Sequence, residues 1–158
     1  MNSTTQIANQ FREVFLNGTW IANTNLKAQL AEVTWKQATT KIDTFNTIAA
    51  LVFHLNYYVA GIINVLEGGS LDIRDKYSFD APPIESKEDW EKLLTKAWDD
   101  AEKFASLVEQ MPDEKLQEPF VDEKYGDYGR NIHGMIEHCY YHLGQIVLIN
   151  KILKTKNC

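Results

Sequence analysis

Trp90, Leu93, Leu94, Ala97, Trp98, Ala101, Phe104, Val108 and Met111 recur at intervals of three and four residues and stop at Pro112. That period lines them along one stripe of an α-helix, whereas a strand would scatter them over both faces, so the segment must fold as a helix with one buried side. Ser86-Lys87-Glu88-Asp89 precedes the run as a capping-box-like start, a serine with an acidic side chain three residues on. Three other segments carry the same period. Ile7, Phe11, Val14 and Phe15 share a face of a first helix, with Ser3 or Thr4 as the expected N-cap and Asn17-Gly18 as the stop. Ile48, Leu51, Val52, Leu55, Val59, Ile62, Ile63 and Leu66 mark a second helix over about residues 44 to 67, ended by Gly68-Gly69. Ile132, Ile136, Cys139, Leu143 and Ile146 form the stripe of a last helix over about residues 131 to 153, with Met135, His138, His142 and Ile149 along its edge.

No stretch reads as a strand, and four long helices predict an all-α chain folded as a four-helix bundle. Between the first two helices, Leu26, Leu30 and Val33 suggest a short helical piece, and Thr34-Trp35 an anchor onto the bundle. The turn-rich stretch before the last helix includes Asp122 to Gly129. The connection from Gly68 to Glu85 is irregular and contains Pro82-Pro83. Its roughly 18 residues reach some 60 Å when extended, against about 36 Å for a 24-residue helix. A long crossover between helices 2 and 3 is therefore expected, and a segment of that length can also cover a pocket.

The chain has 158 residues, 44% of them hydrophobic, enough to bury the core of one domain spanning residues 1–158. A net charge of -6 with no basic patch disfavours nucleic acid as a partner. The first residues lack the basic end and apolar stretch of a signal peptide, and no apolar run is expected to approach the length of a membrane span, so a soluble cytoplasmic protein is expected. Cys139 and Cys158 show no disulfide or Cys-x-x-Cys pattern, and Cys139 reads as a small core residue.

Chemistry concentrates on histidine. His138 and His142 are four apart on the last helix, about 40° around its axis and one turn along, so both imidazoles can reach one cation. Such pairs also occur as surface or core residues held by hydrogen bonds. The apolar neighbours argue for a shared partner, because an unpaired buried polar group costs about 1 to 3 kcal/mol. His54, inside the second helix, falls at a matching height whether the two helices run parallel or antiparallel. Ala50 and Gly61 lie within about 40° of His54 and leave room beside it, for a ligand or for a neighbouring element. His133 is about 180° from His142 and should point away. The spacing is not that of a His-Glu-x-x-His metalloprotease, and the Glu-x-x-His motifs of di-iron bundles are missing. A two-iron oxygen carrier would want more helical histidines, so a mononuclear site fits best.

With His54 preceded by Ile48-Ala49-Ala50-Leu51-Val52-Phe53, and with His138-x-x-x-His142-Leu143-Gly144-Gln145-Ile146 near the C-terminus, the chain resembles the DinB-like superfamily of four-helix bundles. The resemblance covers most of the chain. It implies that His54, His138 and His142 bind a divalent metal, zinc or nickel, in a bundle that commonly forms homodimers. Some members of that superfamily are transferases or isomerases using bacillithiol, mycothiol or glutathione. The chain departs from the pattern at Leu143, where a basic residue or histidine often stands. Three neutral ligands leave a metal its full charge and favour an anionic fourth ligand, so the expected chemistry is activation of a low-molecular-weight thiol for attack on a small electrophile. That would make the protein a metal-dependent thiol S-transferase or hydrolase-like enzyme, with Tyr58 and Gln145 as candidates to orient water or substrate. Arg74 and Arg130 could receive a substrate carboxylate. The alternatives are a non-enzymatic metal-binding or stress-response protein, closed by a fourth ligand such as Cys139 or Glu137, and a metal-free dimerisation module.

Overall fold

The computed structural model describes residues 2–156, and within them helices carry the fold. In chain order these are α1 (Ser3–Arg12), continued by a π-helical turn at Glu13–Asn17, then α2 (Leu26–Leu30), α3 (Trp35–Thr39), α4 (Ile48–Leu66), α5 (Lys87–Gln110) and α6 (Tyr128–Lys156). Among the described residues β-pairing is confined to one isolated bridge between Pro119 and Asp127. Cys158 lies outside the described residues.

Three helix starts differ from the expectation, each through a local hydrogen bond. α1 has Asn2 in the N-cap position without a side-chain cap, and the Asp113 carboxylate instead accepts from the backbone nitrogens of Ser3 and Thr4 at 2.9 and 3.0 Å. A carboxylate serves well there because the free N–H groups and the helix dipole both favour negative charge. α4 begins at Ile48 rather than near 44, because Thr47 caps the Ala50 nitrogen and Asp43 takes a left-handed φ of 47°. α6 begins at Tyr128: Asp127 accepts from the Arg130 nitrogen, and Gly129 sits in the first turn because a Cβ there would stand 3.2 Å from the Leu116 carbonyl oxygen. For α5, Ser86 caps the Asp89 nitrogen as expected, while the Asp89 carboxylate reaches Glu85 rather than closing the box. The short pieces fall where Leu26, Leu30 and Thr34-Trp35 suggested, and Thr34 and Gln37 make a complete capping box.

Contacts give the helix directions. Ser3 and Thr4 meet Asp113, Phe11 meets Phe104 with ring centroids 4.3 Å apart, and Phe15 meets Trp98, so α1 runs antiparallel to α5. Asn56 bonds Asp100 and Glu67 pairs with Lys103, so α4 and α5 run parallel. Two parallel neighbours in sequence need a return of full helix length between them. That return lies along α4 in reverse: Ser70 beside Asn64, Ile73 over Gly61, Arg74 and Asp75 at Tyr57 and Tyr58, and Ser78 at His54. Gly61 is required because a Cβ there would fall 2.6 Å from the Ile73 side chain. The space beside His54 thus admits the crossover. α6 closes the bundle against α4 and α1, burying Ile132, Cys139, Leu143 and Ile146 in the same core as Phe11, Leu55 and Phe104.

One expectation needs correction. Ile48–Leu66 is, at 19 residues, long and apolar enough to cross a membrane by length and composition. Its apolarity has another use, because most of it is buried inside the protein and it is packed on three other helices. A helix covered on most sides must be apolar on most sides.

Candidate metal centre

His54 comes from the middle of α4, and His138 and His142 from consecutive turns of α6. The antiparallel approach of these helices brings the three rings to one point: His54 Nε2 lies 3.1 Å from His138 Nε2, which lies 2.8 Å from His142 Nε2. One ligand atom from each falls within 4.8 Å of the others. Nitrogens at 2.0–2.1 Å around a tetrahedral ion would be about 3.3 Å apart, so the two measured separations need a change of about half an ångström or less to match that spacing.

The outward nitrogens define the proton positions. His54 Nδ1 faces the Ser78 carbonyl oxygen at 3.3 Å, and a carbonyl can only accept, so this nitrogen carries the hydrogen. His142 Nδ1 faces Gln145 Oε1 at 2.7 Å in the same sense. Both Nε2 atoms then present lone pairs to His138 Nε2, which has at most one hydrogen to offer in the neutral ring. Three convergent nitrogens sharing at most one proton form a donor set suited to a cation. Hydrogen bonding of the distal ring nitrogen to a carbonyl is also how metal-binding histidines are oriented.

The electrostatics agree. Burial, chiefly, lowers the pKa of His54, with His142 adding to it and the Ser78 and Asp75 contacts opposing. Burial and the two neighbouring imidazoles take His138 down to about 4. His142 is lowered by burial against the opposing hydrogen bond to Gln145. All three rings are neutral near pH 7, the state that binds metal.

Aromatic rings and the crossover enclose the cluster. Phe79 stacks on His54 at 4.1 Å between centroids and 11° between planes. Tyr58 stands edge-on to His54 and His138, with centroids 5.1 and 5.3 Å away, and its hydroxyl donates to Asp75 Oδ1 at 2.8 Å. Burial and that carboxylate hold the Tyr58 phenol above its ordinary pKa. Tyr141, exposed, stands edge-on to His142. Tyr58 and Gln145 therefore both touch the histidines, one by its ring and one by its amide. The crossover's contribution through Asp75, Ser78 and Phe79 was missed residue by residue, since no spacing rule links an irregular segment to a helix position.

Other candidates are placed elsewhere. His133 is exposed and outside the cluster. Cys139 is fully buried in the core, and its thiol is pushed up by desolvation. Glu137 is exposed and paired with Arg130 at 3.0 Å, which occupies both. Arg74 meets Tyr57 through its backbone, accepting and donating to the phenol oxygen. Among the described residues the histidine group has no Cys, Asp or Glu member. A three-nitrogen set leaves a coordination position for an exogenous ligand.

The family model of the DinB superfamily matches residues 22–146, a span that contains all three histidines. No curated protein and no solved structure matches the chain.

Proposed function

We propose, because this chain belongs to the DinB superfamily and closes three imidazole nitrogens on one point, that it is a divalent-metal protein whose site activates a low-molecular-weight thiol for attack on a small electrophile. The observation that carries this reading is the convergence of the His54, His138 and His142 Nε2 atoms, two of them with their Nδ1 hydrogens engaged outward. Zinc or nickel suits three imidazoles, and when bound supplies a Lewis-acidic centre that favours the thiolate form of a thiol. The imidazoles stay neutral and hold the site through their lone pairs. Ser78 and Gln145 fix the orientation of His54 and His142, and Phe79 and Tyr58 exclude water from the flank they cover. In the transfer itself the thiol would give up its proton to solvent, its sulfur would bond to the electrophilic carbon, and the leaving group would depart with its electron pair. No protein nucleophile is needed. The buried Cys139 takes no part.

The first test is metal content by mass spectrometry on untagged protein, comparing wild type with His54→Ala and His142→Ala. About one zinc or nickel per chain, lost in both variants with helicity retained, supports the site. Absence of metal after reconstitution removes it and leaves a helical interaction module. Turnover of a model aryl halide with bacillithiol, mycothiol or glutathione then tests the thiol step. Stoichiometric metal without turnover of any thiol favours the non-enzymatic metal-binding reading.

We also propose that two copies associate through the outer face of α6, where Tyr141 and Leu148 are exposed one above the other with Phe45 beside them. Sedimentation should give a dimer that Leu148→Glu weakens. A monomer at all concentrations refutes it.

A further inference from the structure

Asn150 stands on the buried side of α6, only 7% exposed, between the core residues Ile149 and Leu153. Its amide ties α6 to α2: Nδ2 donates to the Gln29 carbonyl oxygen at 2.8 Å and to Gln29 Oε1 at 3.3 Å, and Gln29 Nε2 donates in turn to Thr24 Oγ1 at 3.0 Å. Those bonds spend both Nδ2 hydrogens and fix which way the amide points, since the reverse orientation would set two carbonyl oxygens against each other. Oδ1 accepts no hydrogen bond among the described residues, although a buried amide oxygen normally takes at least one. No enclosed side-chain oxygen or nitrogen among the described residues lacks a partner, so Oδ1 is reached from open space. The space that Asn150 lines is a cleft of about 380 Å³ between α2, the turn into α3 and the end of α6.

We infer that this cleft is a binding site, separate from the histidines, for a small uncharged carboxamide carried on a flat apolar ring. Holding two helices together accounts for the nitrogen of Asn150, whereas its oxygen, on the most buried polar residue of the lining, calls for a donor from a ligand. Gln37 lines the same cleft in the opposite sense. Its Oε1 is taken by the Thr34 nitrogen and hydroxyl, which leaves Nε2 as a donor. A carboxamide brings N–H groups for the first and a carbonyl oxygen for the second. Charge selects neither an anion nor a cation, because Glu32 and Lys154 lie on the exposed rim with opposite signs. An ion would also lose its water against the apolar walls, where a neutral amide loses far less. Ala28 has too small a side chain to fill the space, and the opposite wall at Val33 is held in place by Trp90, whose Nε1 donates to the Val33 carbonyl at 2.8 Å. The volume falls in the range of small-molecule sites, which combine apolar walls with a few polar groups.

The probe is benzamide, titrated into the full chain and followed by backbone amide chemical shifts. Acetophenone is the control, because it keeps the ring, the carbonyl and the size but replaces the NH2 group by methyl. Saturable shifts are expected with benzamide, centred on Ala28, Gln29, Asn150 and Leu153, and acetophenone should bind about tenfold more weakly. Asn150→Leu keeps the volume and removes the acceptor, so it should abolish the preference between the two. That change also breaks the tie to Gln29, so Ala28→Leu is the second variant. At an exposed position it fills the cleft while leaving Asn150 in place, and it should weaken benzamide about tenfold with helicity and thermal midpoint retained. His54→Ala and His142→Ala should leave benzamide affinity unchanged, whatever they do to metal. Equal binding of benzamide and acetophenone, no effect of Ala28→Leu, no saturable binding, or loss of binding with the histidines would each overturn the assignment.

Discussion

Gln145→Leu separates orienting a metal ligand from being one. The Gln145 amide oxygen lies 2.7 Å from His142 Nδ1, and Gln145 stands one turn beyond His142 on the same helix. Leucine keeps the bulk and helix propensity but removes the acceptor, leaving a buried N–H without its partner and the ring free to change tautomer. Loss of such an outer hydrogen bond weakens metal binding by roughly 10- to 100-fold, or about 1.4 to 2.7 kcal/mol. Gln145→Glu keeps an acceptor and adds charge, so its affinity should equal or exceed that of wild type. The assay is competition for zinc against a chromophoric chelator at pH 7, with circular dichroism to establish that each variant is folded. Thermal denaturation in excess zinc gives a second readout, because binding to the folded state stabilises it in proportion to the logarithm of the affinity. The zinc-induced rise in midpoint should be smaller in Gln145→Leu by roughly 3 to 10 °C. An unchanged zinc affinity in a folded Gln145→Leu protein would refute the reasoning that the amide fixes this imidazole.

Acid should destabilise the metal-free protein selectively through the same rings. Their folded-state pKa values lie below the unfolded value of 6.5, that of His138 at about 4, so stability present above pH 6.5 is lost as pH falls through this window. Urea midpoints at pH 7 and 5 measure the loss, and it should shrink in His138→Gln. Gly61→Ala should cost about 1 to 2 kcal/mol because its methyl would meet Ile73 at 2.6 Å, and adding Ile73→Ala should relieve part of that cost in a double-mutant cycle. In a Cys158→Ser background, Cys139 should react with a thiol reagent at the rate of global or local opening, since its side chain is fully buried and its thiol is held protonated. Immediate stoichiometric labelling under native conditions would contradict that placement.

Helix identity was legible because burial imposes a period: every stripe residue from Ile132 to Ile146 is buried where the spacing put it. Boundaries were less legible because they depend on single hydrogen bonds, some from distant sequence, as when Asp113 caps α1. A helical period predicts which side chains share a face, so His138 with His142, and Tyr58 beside His54, could be read from angles. It carries no information about which turn of an irregular segment crosses that face. The stacking of Phe79 and the carbonyl of Ser78 on His54 follow from the path of the crossover, which Gly61 and the Tyr57 and Tyr58 hydroxyls guide.

That path bears on the order in which the chain assembles. Crossover contacts with α4 span 17 residues at Tyr57 and Tyr58 and 24 at His54, whereas His54 and His138 are 84 apart. Short loops close at lower entropic cost, so α4 and its returning segment can pair early, with His54 already turned by Ser78 and shielded by Phe79. The other two nitrogens arrive with α6, after α4 and its returning segment have been made. A nascent chain released up to α5 holds one oriented imidazole and not the three-nitrogen cluster, which forms only when α6 packs against α4.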